Sequence, residues 1–133
     1  MISCLRLSKK DESCILETGK VGEAMVTKVM STTLAGIEGS RVICECDLSN
    51  GLPGFEIVGL PGASVRESRD RVRAAIRNCG FEFPMKRITI NLAPAELKKE
   101  GPIYDLPILV GILSCSDQIP QPPEDACFLG SFR

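Results

Sequence analysis

Hydrophobic and polar positions follow one another along this chain in blocks whose periods change from strand-like to helix-like. Residues 25–34, "MVTKVMSTTL", are rich in β-branched side chains and predict a strand, with Gly36-Ile37-Glu38-Gly39 as the turn after it. Residues 40–48, "SRVICECDL", alternate, sending Val42, Cys44 and Cys46 to one face and Ile43 and Glu45 to the other. Asn50-Gly51-Leu52-Pro53-Gly54 reads as a loop and residues 55–60 as a third strand, and this hairpin-like order predicts antiparallel pairing at this end. Residues 62–80 are the clearest helix. Val65, Val72, Ala75, Ile76 and Cys79 build one apolar stripe, and Gly80 stands where a left-handed cap would end it.

Strand alternation returns over 84–92, with Ile88, Ile90 and Leu92 set against Arg87, Thr89 and Asn91. Asp105 then occupies the place of an N-cap. The helix it would start accepts Pro107 in its first turn, because the first N–H groups have no intrahelical partner. "LPILVGILSCS" is apolar nearly all round, so this helix must be buried on most sides; Pro120, Pro122 and Pro123 end it, and "ACFLG" opens a further strand in need of a partner. The order of three strands, helix, strand, helix and strand fragment predicts an α+β fold, a mixed sheet with helices on one face. Residues 1–24 lack a sustained period and are expected to be a weakly ordered extension, with a short additional strand as the alternative; residues 25–133 form the domain. The end at Arg133 suggests part of a larger protein, with the fold incomplete at its C-terminus.

Composition changes this picture little. A chain of 133 residues can bury one core, and its net charge of −1 offers no general attraction for nucleic acid or an anionic membrane. No run approaches the roughly 18 apolar residues of a membrane span, and the N-terminus has no secretory signal. Seven cysteines accompany no histidine and no Cys-x-x-Cys, which argues against zinc and for buried thiols in a reducing cytoplasm.

Three stretches could carry chemistry. "KKEGPIYDLP", residues 98–107, is a Gly-Pro turn ahead of a buried helix. It lacks the second Gly of a phosphate-binding loop, and Pro102 removes an N–H that such a loop would use. A nucleophile held at the helix start would have to follow Gly101-Pro102, and that residue is Ile103. Without histidine, Ser114 or Ser116 would need a lysine partner, and Asp105 is accounted for as the cap. The second stretch is the helix over 62–80, where Arg66, Arg69, Arg73 and Arg77 form a narrow stripe beside the apolar face. The stripe suits phosphates or the acidic residues of a neighbouring subunit. Its bland reading is a solvated face laced by Arg66–Asp70 and Glu67–Arg71 pairs. The third, "NGLPGFEIVGLPGAS" over 50–64, matches no nucleotide fingerprint and reads as structural.

The strings "FEIVGLP", "ESRDRVRAAI", "ITINLAPAELKKEG" and "DLPI" together resemble the N-terminal domain of the ComM/YifB family of bacterial magnesium-chelatase-like AAA+ ATPases, over residues 25–130. The resemblance implies the fold of the Lon protease catalytic domain, and places Gly101, Pro102, Ile103 and Asp105 where Lon-type proteases carry a Gly-Pro-Ser nucleophile turn. With Ile103 in the serine's place, proteolysis is not inherited and no catalytic or metal residue is expected. It further implies a cytoplasmic accessory domain joined in cis to an AAA+ module. That module would bind the ATP and magnesium, assemble as a homo-hexamer and drive DNA branch migration in natural transformation, with no membrane partner. DNA contact by this domain itself would follow from the related domain of RadA, a recombination ATPase. The alternatives are a Lon-type serine hydrolase with a displaced nucleophile, or a fragment without independent function.

Overall fold

The computed structural model describes residues 2–3, 25–33 and 39–132. The elements run β1 (Ile2–Ser3), β2 (Met25–Thr33), β3 (Ser40–Ser49), β4 (Gly54–Val58), α1 (Ala63–Arg66), α2 (Ser68–Asn78), β5 (Arg87–Ala93), α3 (Asp105–Cys115) and β6 (Leu129–Gly130). The expected turn at 36–39 and the extension over 1–24 lie outside the described residues, apart from Gly39 and β1.

Alternation sets the faces of the sheet as the sequence predicts. Val42, Cys44, Cys46 and Leu48 of β3 are buried, as are Ile88, Ile90 and Leu92 of β5, while the residues between them face outward. All the helices lie on the buried side, α3 against β2 and β3 and α2 beside α3. The architecture is therefore a mixed α+β layer.

Its strand order departs from the hairpin-like expectation. The sheet runs β2-β3-β5-β4: β2 and β3 are antiparallel, but β5 lies between β3 and β4 and pairs parallel with β4. The helical segment after β4 returns the chain for that parallel pairing, a connection that sequence neighbourhood does not reveal. The outer edge of β2 is covered, because the Phe128 N–H donates to the Met30 carbonyl at 2.9 Å and Ser31 Oγ donates to the Phe128 carbonyl. β6 follows this strap and pairs antiparallel with β1.

The helix over 62–80 is tightened at Glu67, where the Asp70 N–H returns to the Glu67 carbonyl and divides α1 from α2. Val65, Val72 and Ile76 are buried as expected; Cys79 is exposed. Gly80 has φ +85°, and the Phe81 N–H reaches back to the Ile76 carbonyl at 3.0 Å, the left-handed cap the sequence predicts. Within α3 only Leu109 is less than fully buried, in accord with its all-round apolarity.

Cys44, Cys46 and Cys115 are buried, reduced thiols. Burial, with a smaller push from Glu45, raises Cys44 from 9.0 to about 12. Cys46 is pushed up by its hydrogen bond to Cys115 and by burial. A folded value above the unfolded one means that Cys44 contributes stability below about pH 9 and loses it as pH rises toward 12. At pH 8 a brief pulse of iodoacetamide on the native chain should therefore label Cys79 and spare Cys44 and Cys46 until denaturant is added. Peptide mass spectrometry reads the pattern, and labelling of Cys44 at the rate of Cys79 would contradict its burial.

Candidate functional site

The turn over 98–107 is built around a carboxylate. Asp105 is completely buried and receives donors from three residues, two on α2 and one after β6. Ser68 Oγ donates to Oδ1, and Arg71 donates Nη2 to Oδ1 at 3.1 Å and Nε to Oδ2 at 2.7 Å. The Phe132 N–H completes the set on Oδ2 at 3.1 Å. The same Arg71 Nη2 reaches the Ser64 carbonyl at 2.8 Å, and the bond to Asp105 is the main reason its guanidinium is held above the ordinary arginine value. This overturns Asp105 as the N-cap. Tyr104 is the cap, and no side-chain bond caps α3. Asp105 instead ties α2, α3 and the segment after β6 together, since a buried carboxylate needs paired donors more than a helix start needs a cap.

The residues around Asp105 are equally occupied. Gly101, at φ +89°, donates its N–H to Ser64 Oγ at 3.1 Å. The Pro102 carbonyl accepts the Asp105 N–H, and the Ile103 carbonyl accepts the Gly130 N–H at 3.0 Å. Ile103 packs its side chain against the core. Tyr104 is buried with its hydroxyl in no hydrogen bond of normal geometry; burial raises its pKa against a smaller opposing pull from Thr33.

Lys99 is the second anchor. Its side chain is wholly buried with no ion-pair partner among the described residues, and Nζ donates to the Gly59 carbonyl at 2.8 Å and to the Pro94 carbonyl. Burial lowers its pKa, partly offset by Glu96. Main-chain bonds from the Lys99 N–H to the Leu60 carbonyl and from the Gly62 N–H to the Lys99 carbonyl fix the turn after β4. No serine described here bonds this lysine. Ser114 Oγ donates to the Pro120 carbonyl, and Ser116 Oγ to the Ile112 carbonyl.

The arginine stripe is exposed. Arg73 lies 5.0 Å over the Phe83 ring, and Arg69 reaches the Phe55 carbonyl at 3.4 Å. Among the described residues Arg66 and Arg77 have no ion-pair partner, so the expected Arg66–Asp70 pair does not form. The Glu67–Arg71 pair does, at 3.9 Å. Arg66 and Arg69 instead line an open groove of about 350 Å³ with Glu56, Ile57 and Val58 of β4.

Sequence reasoning missed Ser68, Arg71 and Lys99. Ser68 did carry a signal: it falls in the stripe of Val65, Val72 and Ile76, and a hydroxyl there must find a buried partner. Lys99 carried none that separates it from the exposed Lys98. Among the described residues no three His, Cys, Asp or Glu side chains group as a metal site, and no helix is long and apolar enough to cross a membrane.

Residues 44–133 match the family model described as subunit ChlI of Mg-chelatase. The chain is 54% identical to the competence protein ComM of Haemophilus influenzae over 105 residues, which are 79% of this chain and 20% of that protein. It is 57% identical to YifB of Salmonella typhimurium and 54% identical to YifB of Escherichia coli, in each case over 84 residues, 63% of this chain and 17% of the relative. The chain thus spans about a fifth of the length of these relatives.

Proposed function

The chain belongs to the family of the magnesium-chelatase subunit ChlI, and from that premise we propose that it is a noncatalytic accessory domain of a larger AAA+ ATPase that processes DNA. The observation that carries this reading is the turn at Gly101-Pro102. In the Lon-type fold proposed here, the next residue would be the nucleophile. Here it is Ile103, turned into the core, and both oxygens of the following carboxylate are already engaged. The turn also does not fit a nucleotide: the Gly101 N–H is spent on Ser64 and Pro102 has none. ATP and magnesium belong, on this reading, to a module elsewhere in a hexameric protein, and DNA branch migration is the activity the domain serves. The name of the Haemophilus relative, a competence protein, supports that direction.

Two measurements test the proposal. A serine-reactive fluorophosphonate should label neither the native chain nor an Ile103→Ser variant, because Lys99 is held by two carbonyls and the Asp105 carboxylate is engaged by Ser68, Arg71 and Phe132. Labelling of the native chain at one serine would restore the displaced-nucleophile hydrolase. In the second, duplex DNA should bind weakly and more weakly as salt rises, and an Arg73→Glu/Arg77→Glu variant should lose about tenfold or more in affinity. Binding unchanged in that variant removes these two arginines from the DNA path.

A further inference from the structure

The sheet has two edges, and they are treated differently. The outer edge of β2 is closed by the 127–128 strap. The outer edge of β4 is not: among the described residues no main-chain group outside β5 bonds it, and the Arg69 guanidinium at the Phe55 carbonyl is the one side-chain contact to its backbone. Exposed strand edges are usually blunted, because their free N–H and C=O groups accept another strand.

The surroundings of this edge narrow what could pair there. Arg66 and Arg69 flank it from the helices, and Arg87 sits on the strand beside it, against the single carboxylate of Glu56 at 3.9 Å from Arg87. Three guanidiniums therefore face one acid, and among the described residues Arg66 has no ion-pair partner. At the end of the edge Val58 is 42% exposed and Leu60 51% exposed. Leu60 is also at φ +55°, a backbone region an L-residue with a branched side chain rarely adopts, between the Lys99 N–H bond to its own carbonyl and the Gly62 N–H bond to the Lys99 carbonyl. An edge of backbone donors and acceptors recognises another backbone; phosphates alone would leave that edge and the two apolar side chains unused.

We propose that the outer edge of β4 is a strand-addition site for an extended, acidic protein segment, whose carboxylates meet Arg66 and Arg69 and whose apolar residues lie on Val58 and Leu60. The site stands apart from the DNA reading of Arg73 and Arg77. Its occupant is defined by chemistry: an extended main chain with acidic and apolar residues in alternation.

The test uses the full chain and a fluorescein-labelled octapeptide of alternating Glu and Val, read by anisotropy, with hydrogen exchange on the amides of residues 54–58. The expected result is saturable binding that weakens with salt, new protection within β4, and no binding of a Lys-Val octapeptide or of the Glu-Val peptide carrying D-valine. An Arg66→Ala/Arg69→Ala variant, with its circular dichroism unchanged, should lose at least about tenfold in affinity. The proposal is overturned by absence of binding, by binding that the double variant retains, or by binding without protection of β4. It is equally overturned if β4 is already protected in a concentration-dependent dimer, which would make a second copy the occupant. Displacement of the peptide by an equal concentration of duplex DNA would assign these arginines to phosphate instead.

Discussion

Replacing Asp105 with alanine is expected to lower the stability of the domain by about 3–5 kcal/mol, read as a fall in the urea midpoint at unchanged m-value. The magnitude separates two accounts of this residue. A lost N-cap costs typically about 1 kcal/mol. Asp105, however, is fully buried and holds Ser68, Nε and Nη2 of Arg71 and the Phe132 N–H, so removing it strands a half-buried guanidinium and a main-chain donor together. Asp105→Asn should fall between, because the amide keeps one acceptor and turns its NH2 toward donors. Arg71→Ala and Asp105→Ala should be strongly non-additive, the double variant costing well under the sum. A loss near 1 kcal/mol for Asp105→Ala, with additive behaviour, would return the residue to the role of a cap.

The second large effect is expected at Gly59. It has φ +101°, and a Cβ there would overlap the carbonyl oxygen of Leu92, with the Leu92 amide nitrogen and carbonyl carbon 3.0 Å away. These are backbone atoms of β5 and cannot swing aside. Gly59→Ala should therefore cost more than about 4 kcal/mol, or prevent cooperative unfolding from being observed at all. Gly101 is the control. Its φ of +89° is similar, but a Cβ there meets nothing within 4 Å. Gly101→Ala should cost only about 1–2 kcal/mol, the conformational penalty alone. Equal losses at the two glycines would mean that the close approach of the β4 turn to β5 is not what Gly59 provides.

Much of this was legible where the information is local. Alternation assigned the faces of β3 and β5 because a strand has only two sides, and the all-round apolarity of 106–115 required a helix under cover. Gly80 marked its own cap. What failed was placement at a distance. Nothing within "GFEIV" states that β5, 33 residues on, will lie beside it in place of β3. Arg71 looked like one more solvated charge, because its partner is 34 residues away. Asp105 looked like a cap, because a cap is what an acid at a helix start usually is. The family strings were read correctly. The Ser68 hydroxyl in an apolar stripe was the unread clue to the carboxylate.

The strap over β2 has a consequence for the order in which the chain can be completed. Ser31 is bonded to Phe128 across 97 positions, and Asp105 waits for Phe132 across 27. A chain still being synthesised can form α2, α3 and the inner strands once residue 115 is free, since the Arg71–Asp105 pair needs nothing later. Until 127–132 follow, it carries a bare β2 edge and a carboxylate short of one donor. That interval is when the nascent domain is most open to mispairing, and closing so long a loop makes it slow. The strap over 127–128 is thus the latch of the domain as well as one of its edges: β2, the first strand of the four-stranded sheet to be made, is among the last to be shielded.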